Sequence, residues 1–174
     1  MQTTDNISEF ILQSNAIENV FSQEAFEDAM EAWEYSKSIE LMQHSDIVEL
    51  HRLLMKRLNP RIAGKYRTCD VYIDNQHKKY HSAEIFNIAL IELTNDMIAS
   101  FKLLSDEEKE EACKKCHILF ENIHPFEDGN GRVGRIIYNW HRLQLGLPLH
   151  IIHVGDEQYE YYEWFRKQKT DTTK

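Results

Sequence analysis

Residues 124–135 read His124-Pro125-Phe126-Glu127-Asp128-Gly129-Asn130-Gly131-Arg132-Val133-Gly134-Arg135. An ordinary connection between helices needs a cap and a glycine, whereas this one holds an imidazole, two carboxylates, an amide and two guanidiniums. Upstream, Ala112, Cys116, Leu119 and Ile123 recur at helical spacing behind a capping box, Ser105-Asp-Glu-Glu108. Downstream, Ile136-Ile137-Tyr138-Asn139-Trp140-His141-Arg142-Leu143 has the same period. The stretch is therefore a loop between two helices, with its glycines where the second begins. Free N–H groups and the dipole at a helix start favour an anion, and Gly129 and Gly131 let the backbone approach it closely.

The side chains agree with that reading. Arg132 and Arg135 lie three apart on one face of the first turn, and a guanidinium is a rigid fork suited to phosphate oxygens. Asp128 supplies the single hard carboxylate that Mg²⁺ takes from a protein when phosphates provide its other ligands. His124 is the group that exchanges a proton near neutral pH. An EF-hand is excluded, because its twelfth position would be Asn139 and Ile137 falls where an oxygen is needed. No Gly-Lys-Ser/Thr follows, as a Walker loop requires, and no strand precedes, as a dinucleotide fingerprint requires.

Outward from the loop, the chain is helical almost throughout. Ile7, Phe10, Ile11, Ser14 and Ile17 or Glu18 fall on neighbouring faces, at helical spacing, of a short amphipathic stretch over residues 6–20. Ser22 reads as the N-cap of a helix through Phe26, Ala29, Met30 and Trp33, and Ser45 as the cap of one carrying Ile47, Leu50, Leu54 and Leu58 up to Asn59-Pro60. Cys69-Asp-Val71-Tyr72-Ile73 alternates like a strand, with a turn at Asp74-Asn75-Gln76 and a returning strand at Lys78-Lys79-Tyr80. Ser82 starts a helix through Ile85, Ile88, Leu93, Met97, Phe101 and Leu104. After Gly146 and Pro148, Leu149 to Val154 read as extended and Tyr159 to Arg166 as a last helix, followed by a polar tail.

At 174 residues with a formal charge of −9, the chain suits one domain and not a general nucleic-acid binder. It has no apolar run of membrane length, its first residues do not start a secretory signal, and three cysteines make no disulfide framework. The expectation is a cytoplasmic protein with no membrane or nucleic-acid partner. Cys113-Lys-Lys-Cys116 sits in a helical pattern and reads as buried thiols. Phe126 reads as a core anchor of the loop and Glu127 as solvated.

Residues 124–135 match every specified position of the Fic signature, His-Pro-Phe-x-Asp/Glu-Gly-Asn-Gly-Arg-x-x-Arg, so the chain resembles the Fic family. Ser14-Asn-Ala-Ile-Glu18-Asn19 resembles that family's inhibitory motif, Ser/Thr-x-x-x-Glu-Gly/Asn, in the self-inhibited class where it precedes the catalytic core. The fold implied is all-α, a Fic-type helical bundle with one small β-hairpin flap. Residues 1–20 form an inhibitory helix and 21–174 the catalytic domain. The activity implied is transfer of AMP from ATP, with Mg²⁺, to a Tyr, Ser or Thr hydroxyl of a target protein, self-modification included. His124 is then the base and Asp128 the metal ligand, while Gly129, Asn130, Gly131, Arg132 and Arg135 hold phosphates. Ser14, Glu18 and Asn19 inhibit by pairing Glu18 with Arg135. The hairpin at Val71, Tyr72 and Ile73 is the flap that docks the target by strand addition, although the Gly-Gly and Pro-Pro of relatives' flap tips are missing. Tyr161 and Tyr162 resemble adenosine-pocket tyrosines, but the Asn that follows in relatives is absent, and a core aromatic pair is the alternative. Two other readings stay open. The same site transfers a phosphoryl or UMP group, against which the intact Gly131-Arg132 counts, or the protein is a silent nucleotide-binding module.

Overall fold

The computed structural model describes residues 4–73, 76–78, 100 and 103–167. Along them run α1 (Thr4–Ile17), α2 (Gln23–Lys37), α3 (His44–Met55), β1 (Val71–Ile73), β2 (Gln76–Lys78), α4 (Asp106–Ile123), α5 (Asn130–Gln144) and α6 (Asp156–Lys167). The all-α expectation with a single hairpin holds. The helix read from Ser82 onward lies outside the described residues apart from its last positions, as does the polar tail beyond 167.

α5 is the axis of the bundle. Val133, Ile136, Ile137 and Trp140 are buried in the main core, and Arg132, Arg135, Asn139 and His141 are buried as well. A helix covered on every side is central, and α1, α2, α3 and α4 all pack on this one. The first residues of α5 are the glycine–arginine turn, so the bundle fixes the loop from below.

The apolar stripe of α1 explains its seat. Ile7, Phe10 and Ile11 are buried, and the Phe10 ring meets Trp33 of α2 edge-on at 5.3 Å. Burying a side chain such as Phe10 contributes about 1.5–3 kcal/mol. The helix ends at Ile17, so Glu18 and Asn19 sit in the turn beyond it, not on the helix itself. Asn19 is left-handed at φ 57, a conformation that Gly and Asn tolerate best. That requirement accounts for Asn at this place.

Ser22 caps α2, its Oγ accepting from the Ala25 N–H at 3.2 Å. α3 departs from the sequence reading, because Gln43 and not Ser45 is its N-cap. The Asp46 carboxylate accepts the Gln43 N–H at 2.7 Å, and this places Ser45 inside the first turn. The helix also stops at Met55, short of Leu58, which is half exposed in the turns that follow. Ser105 and Glu108 form the expected capping box of α4 (3.3 and 2.9 Å).

Cys113 and Cys116 are buried against Tyr138, Leu145 and Leu147, and burial pushes both thiols up to about 12. Phe126 is fully buried, as expected. Glu127, read as solvated, lies at the surface and pairs there with exposed Arg61 at 2.8 Å. The segment over 149–153 forms no strand. The hairpin is antiparallel, with Val71 opposite Lys78, Tyr72 opposite His77 and Ile73 opposite Gln76.

Candidate active site

The loop is held from three directions. His124 ends α4 in the left-handed region (φ 51, ψ 63), its N–H bonded to the Phe120 carbonyl at 2.9 Å. Buried Arg67 fixes this reversal: its Nε donates to the His124 carbonyl at 2.7 Å and its backbone N–H to the Pro125 carbonyl at 3.0 Å. Next, Asn130 folds its side chain back, Oδ1 accepting the Phe126 N–H and Nδ2 donating to the Phe126 carbonyl, both at 2.9 Å. This amide pins the loop, so what Asn130 offers a ligand is its backbone. The third hold is His51 of α3. The Gly64 N–H donates to its Nδ1 at 3.0 Å, so Nε2 carries the ring proton and donates to the Asp128 carbonyl at 3.1 Å. Its ring stacks on Phe126 at 3.8 Å, and burial lowers its pKa to about 4.

The loop then opens into α5 at Gly129, left-handed at φ 79. A Cβ there would lie 3.0 Å from Met55 Sδ, so the conformation calls for glycine and the space is tight as well. The first turn closes with the Val133 N–H on the Gly129 carbonyl at 3.1 Å. Ahead of it lie the N–H groups of Asn130, Gly131 and Arg132, without intrahelical acceptors. Exposed Asp128 uses Oδ1 to accept the Gly129 N–H at 2.6 Å, which leaves Oδ2 for an outside ligand.

The two arginines differ. Arg132 is buried, with Nη2 on Met55 Sδ at 3.2 Å and Nε without a hydrogen-bond partner. Burial pulls its guanidinium below the ordinary value, against the pull of Asp128 and Glu18. Among the described residues this cation has no carboxylate in ion-pair contact, Asp128 and Glu18 acting on it only from a distance. Arg135 is fully engaged: Nε donates to Ser14 Oγ at 2.9 Å, and Nη2 to the Ser14 carbonyl and Glu18 Oε1, each at 2.8 Å. The Glu18 carboxylate lies directly on Gly131, where an added Cβ would come within 2.3 Å of Oε1. Ser14, Glu18, Gly131 and Arg135 thus meet although 117 residues separate Glu18 from Arg135.

Other expected site residues are not gathered in this way. Tyr161 is buried, its hydroxyl 2.9 Å from His117 Nε2 and its ring 5.9 Å from the Arg135 guanidinium, while Tyr162 is exposed. Tyr161 thus packs in the core beneath Arg135, and Tyr162 beside it faces solvent. Tyr72 projects from β1, three-quarters exposed. Sequence reasoning assigned no role to His51, Met55, Arg67 or Glu121. A signal existed for two of them: His51 falls four residues after Ile47 on the buried side of α3, and Glu121 continues the line of Cys113 and His117 on α4.

The Fic/DOC family pattern matches residues 41–141. The chain therefore belongs to the Fic/DOC family. It is 30% identical over 127 residues to the protein adenylyltransferase Fic of Nematostella vectensis, an alignment covering 70% of this chain and 27% of that protein. It is 29% identical over 130 residues to protein adenylyltransferase fic-1 of Caenorhabditis elegans, covering 73% and 24%. The chain thus spans about a quarter of the length of these curated relatives. A Fic domain containing signaling protein of Bacteroides thetaiotaomicron shares the fold, with a TM-score of 0.71, 22% identity and coverage of 93% of this chain and 70% of that one. Fic-1 of C. elegans does so with a TM-score of 0.74 and 20% identity, covering 97% and 57%. No helix among the described residues is long and apolar enough to cross a membrane.

Proposed function

We infer that this protein transfers AMP from ATP to a hydroxyl side chain of a target protein and is held inactive by its own Glu18. The observation that carries the reading is the pair of buried arginines at the start of α5. Among the described residues Arg132 has no anion in contact and a buried Nε without a partner, and Arg135 has an anion supplied by a carboxylate that ATP phosphate would replace. Relatives named as protein adenylyltransferases support the choice of AMP, as does Gly131, where phosphoryl-transferring members of the family carry lysine.

Phosphates lie over Gly129, Asn130 and Gly131, bonded to backbone N–H groups, with Arg132 and Arg135 countering their charge. Asp128 fits Mg²⁺: it is exposed, one oxygen is committed to Gly129 and the other is available. A bound Mg²⁺ would neutralise phosphate charge. His124 takes the proton of the target hydroxyl, whose oxygen forms a bond to the α-phosphorus as the bond to pyrophosphate breaks. Positioning and charge compensation dominate such transfers, and a general base adds about 10²–10⁴-fold. The hairpin at Val71, Tyr72 and Ile73 aligns the target. With Glu18 on Gly131 and Arg135, phosphates are displaced from the in-line arrangement, and a displacement of about 1 Å costs about 100-fold.

The test uses ATP labelled at the α or the γ position with wild type and Glu18→Gly in a cell extract. The expected result is α-label on protein with Glu18→Gly, far less with wild type, and none with Glu18→Gly/His124→Ala, which still binds ATP. Protein carrying γ-label would overturn AMP transfer in favour of phosphoryl transfer. Nucleotide binding without any transfer would make the chain a binding module.

A further inference from the structure

Glu121 has no part in the chemistry above, yet the fold accommodates it at a cost. Its side chain is 15% exposed, and its Oε1 is buried without a hydrogen-bond partner. Room for it exists because residue 134 is glycine: a Cβ there would meet Glu121 Oε1 at 2.5 Å and His117 Cε1 at 2.9 Å. A glycine inside a helix costs about 0.5–1 kcal/mol, and a buried polar atom without a partner costs roughly 1–3 kcal/mol. The glycine makes room for His117 as well, but the cost of the buried oxygen would vanish with an apolar residue at 121.

What the concession places is a carboxyl group beside His124. Glu121 Oε2 lies 3.8 Å from His124 Nδ1, one helical turn earlier on α4. Arg67 holds the His124 backbone from the other side. For Nε2 to accept a proton, the neutral ring must keep its own on Nδ1, and an acceptor beside Nδ1 selects that tautomer.

We propose that Glu121 is a positioning residue for His124, its carboxyl oxygen accepting the Nδ1–H so that Nε2 bears the lone pair that takes the target's proton. This rests on His124 being the base, as above. In the step, the hydroxyl proton moves to Nε2 and Nδ1 keeps its own. Glu121 neither gains nor loses a proton. Burial pushes the Glu121 carboxyl up to about 8, with the Glu18 charge adding to the rise and Arg135 opposing it. Acid and carboxylate alike present an acceptor oxygen. Catalytic hydrogen bonds that are long before substrate binds tighten in the reacting complex, and closing 3.8 Å to bonding distance needs a movement of about 1 Å.

The experiment compares Glu121→Gln and Glu121→Leu, each in the Glu18→Gly chain. Three readouts are taken: α-label transfer, thermal midpoint and the ¹⁵N shifts of the His124 ring, assigned against His124→Ala. Glu121→Leu is expected to lower kcat at least tenfold with KM for ATP unchanged, to melt no lower, and to move the ring from Nδ1–H toward Nε2–H. Glu121→Gln keeps an acceptor carbonyl and is expected to restore most of the rate and the Nδ1–H tautomer. An unchanged ring spectrum in Glu121→Leu overturns the proposal, as does a fall in midpoint with loss of ATP binding, which marks a structural role. Should Glu18→Gly transfer no label at all, the transfer reading fails, while the ring shifts still decide what Glu121 does.

Discussion

Replacing Glu18 by glycine should move stability and nucleotide affinity in opposite directions. In the wild type, the Arg135 guanidinium has three acceptors, Ser14 Oγ, the Ser14 carbonyl and Glu18 Oε1, within 2.9 Å. Only the third is charged. A hydrogen bond between charged groups contributes about 1.5–3 kcal/mol. Glu18 is about a third exposed, so solvent screening reduces the figure to roughly 1–2 kcal/mol. For a chain of this length that corresponds to a midpoint lower by about 3–6 °C. The same contact opposes ATP, because a terminal phosphate must displace Glu18 before it reaches Arg135. Removing the competitor returns roughly 1–2 kcal/mol to binding, a Kd about 5–30-fold tighter. Thermal melting with and without ATP and Mg²⁺, together with calorimetric titration, reads both quantities. The expected pattern is a variant that melts lower alone and gains more from ATP than the wild type does. Equal midpoints together with equal ATP affinities would refute the reasoning, because the Glu18–Arg135 contact would then contribute nothing on either side.

Asp128→Ala should weaken the Mg²⁺ dependence of ATP binding by on the order of tenfold or more, read by titrating ATP at fixed and at zero Mg²⁺; an affinity that ignores the metal in both proteins would remove Asp128 from that role. Gly131→Ala separates the lock from the phosphate seat. Its Cβ would lie 2.3 Å from Glu18 Oε1, so the carboxylate must retreat by about 1 Å to ordinary contact, while the new methyl stands where phosphate approaches. Melting should fall as in Glu18→Gly without the gain in ATP affinity. His117 and His141 are buried, and burial lowers both to about 3. Their unfolded values lie near 6.5, so the unfolded chain binds more protons between those limits. The contribution of these two rings should be full above pH 6.5 and be lost steadily as pH drops toward 3, against the opposite slope that Glu121, raised to about 8, adds between 4.5 and 8. Denaturant midpoints at stepped pH in Glu121→Gln, which removes that slope, would check it; a flat profile below 6 in that variant would show that neither ring is kept neutral.

The loop was legible because its chemistry exceeds what a connection needs, and periodicity on both sides set it between α4 and α5. The meeting of Ser14 and Glu18 with Arg135 was legible through resemblance, not through spacing, since a Ser and a Glu four apart are ordinarily a solvated helix face. Boundaries were less legible. Asp46 satisfies the Gln43 N–H and puts the N-cap of α3 two residues before the expected one, a contest between two plausible caps that sequence alone does not decide. The roles of Arg67 and His51 were hidden for a different reason. Each works by bridging backbone groups distant in sequence, the Gly64 N–H to the Asp128 carbonyl in the case of His51, and no local pattern encodes such a bridge. Tyr161 stayed ambiguous because an aromatic pair reads the same whether it faces a ligand or the core, and the structure buries it beneath Arg135.

The seat of α1 has a consequence for how the protein comes into being. Ile7, Phe10 and Ile11 share the main core with Trp33 and the leucines of α3, all of them within the first 55 residues of the chain. During synthesis, N-terminal elements leave the ribosome first, so the carboxylate of Glu18 is already present when Arg135 emerges. In a growing chain the carboxylate that pairs with Arg135 is therefore always made before the arginine, and the buried guanidinium has its counter-charge as soon as α5 packs on α1.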